Sequence, residues 1–121
     1  MKDGLYNRGA YGLPSGAAEV FAATIATLDY ANHALEESRA DRYGIAELPG
    51  SLEIQSGDVV EVEVRGGSPV KAVVRFPYDE KLDLVLVLLP RTAARYFVKT
   101  VWFNQLSDKH RTLRLAPYSR P

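Results

Sequence analysis

The run Lys99-Thr-Val-Trp-Phe-Asn-Gln-Leu-Ser-Asp-Lys-His-Arg-Thr112 gathers the side chains best suited to chemistry. In it, His110 stands between Lys109 and Arg111. Flanking cations disfavour the imidazolium form, so part of such a histidine stays neutral near physiological pH and can act as general acid or base on a phosphodiester. A nearby ammonium and guanidinium would stabilise the pentavalent phosphate, with no need for a metal or a thiolate. Lys99, Thr112 and, from farther back in the chain, Arg75 and His33 complete this set of candidates by chemical type and face. A plainer reading makes Asp108 the head of an Asx-type turn and leaves Lys109, His110 and Arg111 in solvent at a hairpin tip.

A second cluster is Asp29, His33, Glu36 and Glu37. On a helix, Asp29, His33 and Glu37 would stand four residues apart on one face and could in principle hold a metal. Such spacing more commonly gives a solvated face with ordinary ion pairs, and no metal or cofactor is expected. There is no glycine-rich phosphate loop, no Gly-x-Ser-x-Gly elbow and no His-Glu-x-x-His. The chain has 121 residues and no cysteine, which excludes disulfides, thiolate metal sites and cysteine nucleophiles; two histidines are too few for a histidine-rich centre. Its composition, 46% hydrophobic and 25% charged, is that of a folded domain. The longest apolar run, Leu84 to Leu89, is far short of the roughly 20 residues of a membrane span, and no secretory leader is visible at Met1. A cytoplasmic location is the expectation.

These groups must be positioned by a helix and a sheet. Residues 1–16, with four glycines, Tyr6 and Tyr11, read as a flexible arm that can dock on its own domain. Residues 16–43 read as one long helix, capped by Ser15, with Phe21, Ile25, Leu28 and Leu35 on one stripe and Gly44 at the left-handed C-cap position ahead of Ile45. Eight alanines between Ala17 and Ala40 favour a helix and would permit close approach of another helix. From residue 52 onward the hydrophobic period becomes two. Val60, Val62 and Val64 alternate with Glu61 and Glu63; Val70, Ala72, Val74 and Phe76 alternate with Lys71 and Arg75. Parity then predicts a hairpin with the three-residue loop Gly66-Gly67-Ser68, pairing Val64 with Val70, Val62 with Ala72 and Glu63 with Lys71. Pro77 to Glu80 is a turn, Leu82 to Leu89 a strand buried on both faces, Pro90 to Ala94 a loop and Tyr96 to Phe103 a further strand. Thr112 to Leu115 could add an edge.

The expected fold is therefore α+β: a long N-terminal helix on one face of a four- or five-stranded antiparallel sheet, one domain over residues 17–115, and a tail at 116–121. Strand parity places Lys99 with Arg95, Phe97, Val101 and Phe103. If that face also carries Lys71 and Arg75, it is a cationic, partly apolar surface suited to an RNA backbone, with Phe97 and Phe103 available for stacking. Charge is split along the chain. Residues 1–90 hold eight Lys and Arg against fourteen Asp and Glu, a balance of −6; residues 91–121 hold seven against one, a balance of +6. Such a segment can serve a polyanion, or can meet the acidic part of the same chain or of a second copy.

With the strand Val98-Lys99-Thr100-Val101-Trp102 following a helix and a hairpin, the order resembles the RelE/barnase-like superfamily of small ribonucleases and toxins. Size and style are also similar to small accessory proteins of bacteriophages and prophages. The first resemblance implies an exposed sheet face that binds RNA. On these grounds Lys71, Arg75, Arg95, Lys99, Arg111 and Arg114 are expected to bind RNA or another polyanion, and His110, Lys99 and His33 to support metal-independent cleavage. The alternative is a non-catalytic accessory protein that forms a homodimer or binds and inhibits a protein partner.

Overall fold

Alternation of apolar and polar residues does build most of the chain, and it extends further towards the N-terminus than the helical stripe allowed. The computed structural model describes residues 1–8, 12–39 and 48–105. Seven strands form one sheet: β1 (Gly4–Asn7), β2 (Ala23–Tyr30), β3 (Ser51–Ile54), β4 (Val59–Arg65), β5 (Ser68–Pro77), β6 (Leu82–Thr92) and β7 (Arg95–Gln105), in the order β1-β4-β5-β6-β7-β2-β3. All neighbours are antiparallel except β2 and β7, which run parallel. The expected long helix over residues 16–43 on a four- or five-stranded antiparallel sheet is thus corrected to a mixed seven-stranded sheet with one eight-residue helix, α1 (Asn32–Arg39).

The physical reason lies in residues 23–30. Thr24, Ile25, Thr27 and Tyr30 suit a pleated surface, and Ala26 and Leu28 point into the core while Thr27 and Asp29 point out. Alanine's helix preference is worth only tenths of a kcal/mol per residue, roughly, and hydrogen bonding to β7 outweighs it. A 3-10 turn at Glu19–Phe21 precedes this strand, and α1 follows it directly. Ile25, placed by the helical stripe in the core, is 68% exposed. The expected C-cap at Gly44 and the edge strand Thr112 to Leu115 lie outside the described residues. Residues 4–7, read as part of the arm, pair with Val64 to Glu61 of β4, and the Tyr6 ring packs on the main core.

β3 and β4 stand five strand spacings apart in the sheet, about 24 Å if it were flat. Only Gln55 and a 3-10 turn, Ser56–Asp58, join them. From Ile54 to Val59 the chain can span at most about 19 Å, and less when coiled. The sheet must therefore curl into a partly closed barrel. One apolar cluster confirms this, running from Val62 and Val64 through Val74, Leu86 and Val98 to Leu28 and Ile54. Arg8 ties the crossing, its Nη2 donating to the Ser56 carbonyl at 2.8 Å and its Nε to that of Val59 at 3.0 Å. Phe21 and Ala34 bring the 3-10 turn and α1 onto the same interior.

The β4–β5 hairpin departs from the expected loop. Arg65 pairs with Ser68, leaving Gly66 and Gly67 as a two-residue turn with φ of 59° and 76°. Both central residues with positive φ are the mark of a twist-compatible hairpin turn. Such a turn gives the wrong parity for this sequence. A bulge between Glu63 and Val64 corrects it, so Val64 faces Pro69 rather than Val70, while Val62–Ala72 and Glu63–Lys71 pair as expected. β6 also runs on through Thr92, so the loop expected over Pro90 to Ala94 shrinks to Ala93 and Ala94.

The strand assignment of residues 23–30 makes a direct prediction. Ile25→Ser should change unfolding free energy by no more than about 0.5 kcal/mol, as at an ordinary exposed site, whereas Leu28→Ala should cost about 2–5 kcal/mol. Urea titrations of the two variants check this, and equal losses would restore the helical stripe.

Candidate functional site

The curled sheet has an inner face filled with side chains and an outer face that carries Lys71, Arg75, Arg95 and Lys99 of the expected ligand residues. Lys71 and Arg75 project outwards from β5, as parity predicts, but acids meet them. Lys71 Nζ lies 3.3 Å from Glu63 Oε1, the cross-strand pair set by the register. Glu63 also takes Arg65 Nε at 2.6 Å. The hydrogen bond from Lys71, then the surrounding positive charge, holds the Glu63 carboxyl below its ordinary range. Arg75 is not an open cation at all: its Nε is 2.7 Å from Asp83 Oδ2, with both side chains buried at 3% and 0% exposure. They share the outer face with a small apolar cluster of Val60, Val73 and Val85, flanked by Val87 and Trp102. Glu61, half-buried beside them, has its carboxyl pushed up chiefly by burial, against the opposing charge of Lys71 and with a lesser push from Glu63.

Farther round the barrel, Arg95 grips Asp29 through two parallel bonds, Nε to Oδ2 at 2.7 Å and Nη2 to Oδ1 at 3.1 Å. That fork, with the charge of Arg91 added, lowers the Asp29 carboxyl; the same contact raises Arg95. Asp29 lies on β2 and not on a helix, so the four-residue spacing with His33 and Glu37 does not exist in three dimensions. His33 is in α1, largely in solvent, with Nε2 at 3.3 Å from Glu37 Oε1. His110, Arg111, Thr112 and Arg114 lie outside the described residues.

Lys99 occupies a place that parity alone could not give. Thr100 faces Val87 and Val98 faces Leu88, so Lys99 is the extra residue of a β-bulge. The bulge resets the parity. Phe97, Thr100 and Trp102 turn outwards, while Val101 and Phe103 enter the core, against the expectation that Lys99, Phe97, Val101 and Phe103 share a face. Phe103 is 5% exposed, and Tyr78 packs edge-on against it with centroids 4.5 Å apart, so it is no outer stacking platform. A second bulge sits between the Pro90–Tyr96 and Thr92–Arg95 pairs, and its extra residue is Arg91. The Arg91 guanidinium lies over the Phe97 ring at 4.7 Å from the centroid.

The described members of the expected cationic face thus divide into paired and unpaired groups. Three of its members, Lys71, Arg75 and Arg95, are matched by Glu63, Asp83 and Asp29. Arg91 was not among the residues sequence reasoning selected, because Pro90 to Ala94 read as a loop. Arg91 and Lys99 are exposed, and among the described residues neither has a carboxylate within ion-pair distance. Together with Phe97 they form the one place on the described outer face where positive charge is unmatched beside an aromatic ring. An apolar hollow between Leu48–Leu52 and Phe76–Tyr78 has no polar side chain but Tyr78 to orient a ligand.

No family model, no curated protein and no solved structure matches the chain. Among the described residues no helix is long and apolar enough to cross a membrane.

Two stability predictions follow from the acids on this face. Arg75→Met should cost about 3–5 kcal/mol by stranding a buried carboxylate, while Arg75→Met with Asp83→Leu should recover most of that loss. Urea unfolding measures both, and an innocuous single variant would contradict the buried pairing. Because burial raises the Glu61 carboxyl above its ordinary 4.5, its contribution to stability is complete below that value and fades as pH rises through the folded-state pKa. Glu61→Gln should therefore raise the melting temperature at neutral pH, with the difference vanishing in acid. A variant equally or less stable at neutral pH would oppose this.

Proposed function

We propose that the protein binds an anionic ligand on the outer face of β6, β7 and β2, centred on Phe97, and that it binds rather than cleaves. One observation carries the reading: Arg91 and Lys99 are each the extra residue of a bulge close to Phe97, and among the described residues neither has an ion-pair partner, whereas Lys71, Arg75 and Arg95 are each paired with an acid. Bulges re-aim side chains and are common next to functional sites. With Arg95 and Asp29 included, the patch has three cations and one carboxylate, which favours an anionic ligand. Against cleavage by the expected His33–Lys99 set, the His33 imidazole is directed to Glu37 on α1. Kinship with the small ribonucleases or with phage accessory proteins is a proposal that no matching protein supports, and a cytoplasmic location belongs to the same proposal.

Self-association is the second reading. Leu5 is 58% exposed on β1, which ends the sheet among the described residues, and an apolar side chain on an edge strand invites pairing with another chain. Light scattering would then report a dimer that persists in high salt and dissociates on Leu5→Lys; a monomer at every concentration removes this reading.

The anionic-ligand reading is tested on immobilised heparin. Lys99→Gln should elute at clearly lower salt than the wild type, and Lys71→Gln, whose ammonium is already held by Glu63, should elute close to it. Equal shifts for the two variants, or no retention of the wild type, would overturn the assignment.

A further inference from the structure

We infer that the ligand of this patch is a single-stranded polynucleotide, held by stacking on the Phe97–Arg91 pair and by phosphate contacts to Lys99. The inference rests on the anionic-ligand reading and adds a base to it. Between the two bulges only three residue pairs intervene, Leu88–Val98, Leu89–Phe97 and Pro90–Tyr96. The two unmatched cations therefore flank one aromatic ring within a short length of the same ladder. A bulge residue has no partner opposite it in the ladder, so the register that supplies Glu63 to Lys71 supplies nothing to Arg91 or Lys99.

The type of contact at each residue selects the ligand. An acidic peptide or a sulfated sugar needs only the cations, and it gains nothing from the phenyl ring beneath the guanidinium. A base does gain, because its π-face stacks on an aromatic side chain or on an arginine plane, irrespective of base identity. Arg91 lies over Phe97 at 4.7 Å from the ring centroid, and Arg91 is exposed, so an aromatic ring and a guanidinium are both at hand for a base. Lys99 lies two residues along β7 from Phe97, about 7 Å away, and its bulge position lets the ammonium reach a phosphate next to a stacked base. Asp29, clamped by Arg95, borders the patch on the β2 side and directs the backbone towards Lys99. Double-stranded nucleic acid hides its base faces and is not expected to use this platform.

The test uses the full chain, a fluorescein-labelled single-stranded RNA of about twelve nucleotides, within the usual site size of such proteins, and heparin as a polyanion without bases. Fluorescence anisotropy should show that Phe97→Leu weakens the oligonucleotide about tenfold or more and weakens heparin clearly less. Lys99→Gln should weaken both ligands and lower the steepness of the oligonucleotide's salt dependence by about 0.7 in log–log slope. Melting temperatures and circular dichroism of each variant check that the fold is intact, and Phe97→Tyr, which keeps a ring, should restore oligonucleotide binding. If heparin binds through Lys99 but the oligonucleotide is indifferent to Phe97→Leu, the polynucleotide is overturned and the anionic-ligand reading survives. If neither probe binds, both fall.

Discussion

The three-residue turn between β3 and β4 is the constraint on which the rest depends. Strands at opposite sides of a seven-stranded sheet are joined by a link too short to cross it flat, so the sheet closes on itself and gains one interior. The described strand residues are thereby divided between an apolar inside and an outside that carries the charged groups together with a smaller apolar cluster. Arg8, bonded to the carbonyls of Ser56 in the turn and of Val59 just after it, and the mutual bonds of Gln55 and Asp58 hold the crossing in place.

On the outside, the register distributes charge. Where the ladders are regular, an acid on one strand meets a base on the next, as with Glu63 and Lys71, or Asp29 and Arg95 along the parallel pair. Arg75 and Asp83 are so deeply covered that their attraction mainly offsets the cost of removing both charges from water, which makes the pair a device of specificity as much as of stability. Where the ladder is broken, the matching fails. The two bulges of the β6–β7 pair leave Arg91 and Lys99 outside this scheme. The same irregularity that turns Phe103 inwards leaves Phe97 outside between them.

The sequence shows where the later strands are because their alternation is strong: Val62 against Ala72 and Glu63 against Lys71 can be read from parity alone. It misleads over residues 16–43, where alanine content and a helical stripe outweigh the β-branched run from Thr24 to Thr27; the hydrogen bonds that decide the matter come from β7, about seventy residues later. A parallel neighbour leaves no local trace. Bulges are equally silent, since an extra residue such as Lys99 looks like one more step in the alternation until its partner strand is known. Of the candidate site, Lys99 and Phe97 were legible as a polar and an aromatic residue on one strand. Arg91 was not, because proline at position 90 suggested a loop where the strand continues. The acids that silence Lys71 and Arg95 were visible as residues, but only Glu63 could be placed opposite its partner from the sequence.

The most direct measurement of the central claim is an amide chemical-shift titration of the isotopically labelled protein with a short single-stranded oligonucleotide. Perturbations should concentrate on Leu89 to Arg91 and Phe97 to Lys99 and leave Lys71 to Arg75 nearly still. Shifts centred on Lys71 to Arg75, or none on the outer strands at saturation, would contradict it.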